Sequence, residues 1–282
     1  MPILVRKMAS AAAHAGRHLS RFRGRPFADY IERCTDGFHR ALNNVNFDMA
    51  KNGELRVVKL MSVIDPKCIF DVGANVGEWS QIASDIFPSA EIHAFEIVPT
   101  TFSELRTNTS NLKNVVPINF GLSDEETDIA IYLGAQGSTD ATAFKIEGMT
   151  LHDKHYVTEV QGHTRKGIDY LTEQRIDVID FLKIDVEGMD LRVIKGFEDA
   201  ITKVRALQFE YGIFNISSHD LLADFCQHLK RYGFVVGKVF PKSVTFFDYD
   251  YNMENFHGSN YVAVRRDDTS LISALSNGSY AT

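Results

Sequence analysis

From residue 68 onward, short apolar runs alternate with amphipathic stretches, the pattern of a parallel α/β sheet wrapped by helices. Cys68–Val72 reads as a buried strand. It runs into the turn Gly73 to Gly77 and a helix from Glu78 that stops before Pro88. Glu91–Glu96 predicts a second strand, Pro99–Thr109 a helix and Val115–Asn119 a third strand. Residues 128–133 and 156–164 alternate apolar and polar positions, so they are expected to pair with each other. Residues 178–186 form an almost unbroken apolar run, as in a central strand covered on both faces. A helix is expected over 191–201, a strand over 206–209 and an amphipathic helix over 219–232. Strands then follow at 234–240, 244–247 and 261–264.

Ahead of the sheet, residues 29–64 carry two apolar helical stripes separated by a polar break at 43–53. Residues 1–64 are therefore read as an N-terminal helical extension, 65–266 as the main domain and 267–282 as a frayed tail. Within 1–28 there are six basic residues and no acid, although the whole chain of 282 residues carries a net charge of −7. That segment fits a solvated helix, a helix lying in a membrane interface, or a transit peptide. The net negative charge argues against a nucleic-acid partner. Three widely spaced cysteines support neither a disulfide framework nor a zinc site, and no apolar run reaches membrane-spanning length; a cytoplasmic location is expected.

The chemistry concentrates at strand ends. Gly73 and Gly77 allow a tight turn and close backbone approach to a ligand. Glu96 follows Gly77 by nineteen residues, about the spacing at which an acid on the second strand takes a ribose diol. Asp71, Glu96, Asp124, Asp185 and Glu210 all fall at or just past a predicted strand's C-terminal end, which in a parallel sheet is a single edge. A nucleoside-bearing cofactor follows from turn and acid together.

Four blocks carry a closer resemblance: F-D-V-G-A-N-V-G-E-W-S at 70–80, H-A-F-E at 93–96, N-F-G-L-S-D-E-E at 119–126 and F-L-K-I-D-V-E-G-M-D-L-R-V-I-K-G at 181–196. The chain resembles the FkbM family of S-adenosylmethionine-dependent methyltransferases over about residues 66–265. The resemblance implies the class I methyltransferase (Rossmann-like) fold, three layers around a mostly parallel seven-stranded sheet. It implies O-methylation of a hydroxyl on a sugar, glycan or natural product. By position it puts Asp71, Gly73, Asn75 and Gly77 around the donor's methionine part and ribose, Glu96 on the ribose hydroxyls, Ser123 and Asp124 near the adenine, and Asp185 beside the sulfonium.

Asp185 is the first candidate for the general base, Glu210 the second, and His219 and His163 weaker ones. No metal site is expected; were a divalent cation used, Asp185 and Glu210 would hold it, and loss of activity on chelation would reveal it. Glu187 is read as a partner of Lys183, a cap of the next helix, or a catalytic group. Acceptor contacts are expected from 134–165, 211–220 and 241–260. Two other readings stand beside this one. An NAD-dependent oxidoreductase or epimerase would want G-x-G-x-x-G and Tyr-x-x-x-Lys, which are missing from the sequence. A non-catalytic binding module would form no S-adenosylhomocysteine. Oligomeric state is left open.

Overall fold

Twelve strands organise the computed structural model, which describes residues 3–134, 141–144 and 158–276. In chain order they are β1 (Cys68–Val72), β2 (Glu91–Phe95), β3 (Val115–Ile118), β4 (Gly121–Ser123), β5 (Thr127–Leu133), β6 (Ala141–Thr142), β7 (Thr158–Lys166), β8 (Ile179–Ile184), β9 (Val204–Tyr211), β10 (Phe234–Phe240), β11 (Ser243–Phe247) and β12 (Ser259–Arg265). Eight of them form the main sheet in the order β11-β10-β12-β9-β8-β1-β2-β3. The run from β9 to β3 is parallel, and β12, β10 and β11 are antiparallel. The class I architecture is therefore present with one strand more than the expected seven. The difference arises at the C-terminal edge, which three strands close, while Gly121–Ser123 leaves the main sheet for a second one. That second sheet, β4-β7-β5-β6, contains the anticipated antiparallel pairing of 127–133 with 158–164.

Side chains alternate across the sheet with a period of two. Phe70, Val72, Leu182, Ile184, Leu207 and Phe209 face one apolar cluster, which the helices Asp190–Lys195 and Leu222–Arg231 cover. Ile69, Ile92, Phe181, Ala206 and Val262 face the other, covered by Glu54–Leu60, Glu78–Ile86 and Thr269–Ser276.

The chain parts into two compact units, Met1–Val45 and Asn46–Thr282. The first holds the helices Ile3–Leu19 and Pro26–Leu42; the latter buries no residue, and Tyr30 and Phe38 on its apolar stripe are exposed. The boundary lies earlier than the expected 64/65, because Val57, Val58 and Met61 are fully buried in the core of the second unit. The expected frayed tail is helical from Thr269 to Ser276. A capping carboxylate explains its start: Asp268 Oδ1 accepts from Leu271 N at 3.2 Å, and Leu271, Ile272 and Leu275 are buried. The long helix expected over 191–201 breaks at Gly196, where an added Cβ would stand 1.9 Å from the Ser123 carbonyl oxygen. No helix among the described residues is long and apolar enough to cross a membrane.

Candidate active site

At the C-terminal ends of the parallel strands, the face that is apolar in its middle becomes polar. Register sets Asp71 of β1 opposite Lys183 of β8, Lys183 opposite Gln208 of β9, and Glu210 opposite Asn260 of β12. By alternation these residues share the face of Ile69, Phe181 and Ala206, one step nearer the strand ends.

Lys183 is the hub. Its Nζ lies 3.3 Å from Asp71 Oδ1 and 3.4 Å from Asp185 Oδ2, and 5.9 Å from the centroid of the Trp79 ring. Burial alone would push the lysine pKa down, but the carboxylates of Asp71, Asp185 and Glu54 outweigh it and hold the ammonium well above its ordinary value. Asp71 is fully buried, and it also accepts a hydrogen bond from Ser80 Oγ at 2.7 Å. Its carboxylate thus braces the turn from beneath and is not among the residues lining the cavity.

A cavity of about 480 Å³ opens over this face, inside the range of roughly 300–1,000 Å³ typical of small-molecule sites. One end is made by the first turn. Gly73 has φ of +81°, and a Cβ there would stand 1.9 Å from the Asp185 carbonyl oxygen, so the two loops can meet only at glycine. Gly73 N and Ala74 N both donate to Phe95 O, which ties the turn to β2. Glu96 is buried in the wall; Asn75 N donates to its Oε2 at 2.9 Å and Val98 N to its Oε1 at 2.7 Å. Burial raises its pKa to about 6 against those two hydrogen bonds. Ile97, Gly121 and Leu122 continue the wall on the far side of Glu96.

The other end carries Asp185, Glu210, Glu54, Asn52, Asn260, Gly258 and Phe47. Burial, with Asp185 and Asp190 nearby, pushes Glu210 well up. Asp190 is buried behind it; its Oδ1 accepts from Glu210 N at 3.0 Å, its Oδ2 has no hydrogen-bond partner among the described residues, and burial raises it to about 7. Burial and the neighbouring negative charges thus push both Asp190 and Glu210 toward their protonated forms.

Of the residues expected on the donor, Gly73, Asn75, Glu96 and Asp185 line the cavity; Asp71, Gly77, Ser123 and Asp124 do not. Gly77 instead lets the chain pass Leu105, with φ of +92°, and Ser123 and Asp124 end β4 in the second sheet. Of the proton acceptors, Asp185 and Glu210 come together, while His219 and His163 stand outside the lining. His219 ends the short helix Phe214–Ser218, and His163 Nδ1 is 2.8 Å from Asp128 Oδ1. Lys183 has its ion pairs with Asp71 and Asp185, and Glu187 lines the cavity with a positive φ of 52°. The described residues contain no group of three or more His, Cys, Asp or Glu able to hold a metal ion. Residues 135–140 and 145–157, part of the expected acceptor insert, lie outside the described residues.

The family model described as "Methyltransferase FkbM domain" matches residues 71–236. The chain belongs to the FkbM methyltransferase family. Methyl transfer from S-adenosylmethionine is accordingly its class of reaction. Among curated relatives, this FkbM-family chain is 27% identical over 166 residues to the 2-O-methyltransferase NoeI of Sinorhizobium fredii, covering 56% of this chain and 68% of that protein. It is 30% identical over 158 residues to the hexuronic acid methyltransferase AglP of Haloferax volcanii, covering 54% of this chain and 59% of AglP. With 31-O-demethyl-FK506 methyltransferase FkbM of Streptomyces tacrolimicus it shares 28% identity, over 47% of this chain and 60% of that one. The chain thus spans about 60% of the length of these last two relatives. A solved methyltransferase FkbM from Methylobacillus flagellatus aligns with a TM-score of 0.44 at 14% identity, over 71% of this chain and 44% of that one, too loose a likeness to argue from.

The donor fits the first end of the cavity. A buried carboxylate held by two backbone N–H groups keeps further lone pairs for a vicinal diol, a glycine turn admits backbone contact, and Ile97 with Leu122 offers an apolar slot beside it.

Proposed function

We propose that the protein O-methylates a hydroxyl of a small polyhydroxylated acceptor, a sugar, glycan or natural product, from S-adenosylmethionine. The observation that carries this reading is the two-ended cavity, with Glu96 and the glycine turn at one end and Asp185 with Glu210 at the other. Glu96 would hold the ribose hydroxyls, the backbone of Gly73 to Asn75 the methionine part, and Ile97 and Leu122 the adenine. The donor, when bound, supplies a methyl group on a sulfonium.

The chain's own task is then to place and deprotonate a hydroxyl. Asp185, ion-paired to Lys183 and with its side chain 44% exposed, can accept the hydroxyl proton and pass it to solvent. Glu210, pushed toward its protonated form, donates a hydrogen bond that fixes the acceptor. Asp190 holds the Glu210 backbone N–H and thus the end of β9. Nothing is asked of a metal in this scheme, and both acids of the cation variant have roles without one.

A screen of hydroxylated acceptors, read by mass for a gain of one CH₂ and by S-adenosylhomocysteine release, tests the reaction. Asp185→Asn is expected to lower turnover by about 10²–10⁴-fold while donor affinity is kept. Unchanged turnover would end the role given to Asp185.

A further inference from the structure

The charge of the cavity says more about the acceptor. Among the described residues its lining carries six carboxyl groups, Glu54, Glu78, Glu96, Asp185, Glu187 and Glu210, of which burial pushes Glu54, Glu96 and Glu210 toward their protonated forms, and one cation, Lys183. That cation is already committed. It is 5% exposed and lies within 3.4 Å of both Asp71 and Asp185, with Glu54 adding a third negative neighbour. An incoming carboxylate, phosphate or sulfate would meet acids with no uncommitted positive group among the described lining residues to receive it. The carboxyl groups that stay ionised oppose an incoming anion, and those that are protonated offer hydrogen bonds in place of a positive charge.

What the acceptor end does offer is chemistry for hydroxyls. Glu54 and Glu210 are carboxyl groups on neighbouring elements, and Asn52 and Asn260 add amides. Asn260 Oδ1 accepts from Gln208 Nε2 at 3.1 Å, which fixes that amide's orientation. Phe47 stands at the rim with 72% of its surface exposed, although it lines the cavity. Its ring packs against Gly258, where an added Cβ would stand 3.2 Å from Phe47 Cε1 and 2.9 Å from Glu210 Oε1. A bare ring beside a carboxyl pair, with a glycine holding both close, suits the C–H face of a pyranose whose hydroxyls turn to the acids. Phe47, Asn52, Glu54, Gly258 and Asn260 all lie outside the stretch 71–236 that the family model matches.

We propose that the acceptor is a polyol bearing no anionic group, seated against Phe47 and held through its hydroxyls by Glu54, Glu210 and Asn260. The inference rests on the methyltransferase reading and narrows it: uronates, sugar phosphates and sugar sulfates are excluded.

The test uses the full chain and matched acceptors: a neutral methyl pyranoside, the corresponding uronate and the corresponding 6-phosphate. Transfer is followed by mass, and S-adenosylhomocysteine binding is measured separately by calorimetry. The neutral glycoside is expected to exceed both anionic partners by about 100-fold in kcat/KM, the scale set by like-charge repulsion in a shielded site. Phe47→Ala, a substitution at an exposed ring, is expected to raise KM for the accepted glycoside about tenfold with S-adenosylhomocysteine affinity unchanged, the loss of one stacking contact. Equal or better use of the uronate or phosphate would overturn the proposal while leaving the methyltransferase reading intact. So would a Phe47→Ala enzyme with unaltered KM. Absence of S-adenosylhomocysteine binding would bring down the methyltransferase reading itself, and this inference with it.

Discussion

Lys183→Met isolates the part of the site on which both ends of the cavity depend. The substitution keeps an unbranched apolar stem against Trp79 and removes only the charge. What it leaves behind is Asp71, fully buried, with Ser80 Oγ as its other hydrogen-bond donor. Stripping one partner from a buried ion pair costs about 3–5 kcal/mol, because the remaining charge has neither water nor counter-ion. The arm to Asp185 adds little to this figure, since that carboxylate is 44% exposed and solvent screens it. For a domain of this size each kcal/mol moves Tm by about 2–4 °C, so a fall of roughly 6–20 °C is expected. Calorimetric melting, with Asp71→Asn combined with Lys183→Met, closes the cycle: the double variant is expected to recover most of the loss, since neither charge remains. A fall of under about 2 °C, or additive losses in the double variant, would refute the idea that this pair is a buried, mutually required unit.

Two further outcomes follow from the donor end. The pKa of Glu96, raised by burial to about 6, puts its ionisation within an accessible range; S-adenosylhomocysteine affinity should climb as pH rises through 6, and Glu96→Gln should lower it about 10-fold or more and flatten the profile, read by calorimetric titration. The same shift has the opposite sign for stability: Glu96 favours the fold below its unfolded pKa and that contribution is lost as pH rises through 6, so Glu96→Gln should melt no lower than the parent at pH 7. Gly73→Ala places a Cβ 1.9 Å from the Asp185 carbonyl oxygen at a φ of +81°, and should either abolish soluble protein or lower Tm by more than about 5 °C and remove donor binding, a cost of at least about 1–3 kcal/mol for the backbone alone.

How much of this was readable from the chain turns on whether a feature is local. The acids at strand ends are local: an apolar run of five or six residues followed by Asp or Glu tells both where the strand stops and what sits there. That is why Glu96, Asp185 and Glu210 were legible and do line one cavity. The lysine that pairs with Asp185 is not local. Lys183 stands two residues before Asp185 in a run that reads as uninterrupted core, and its pairing with Asp71 exists only because β8 lies beside β1 in the register that sets those two residues opposite each other. Strand order and register are settled by the whole sheet, so the sequence offers Glu187 as a partner just as readily. Glu54 and Asn52 were hidden for a related reason. Their segment follows a polar break and looks like the end of a helical extension, yet Val57 and Val58 carry it onto the same sheet face as Ile69 and Phe181, and that packing swings Glu54 over the strand ends. Asp124 shows the converse. It follows a strand and bears the right charge, but Gly121–Ser123 pairs with β7 in the second sheet, so its strand end belongs to a different edge. A carboxylate's position along its strand is thus written in its neighbours, whereas the company it keeps is decided by which strand lies alongside, and in this protein the acceptor end of the cavity is made almost entirely of such company.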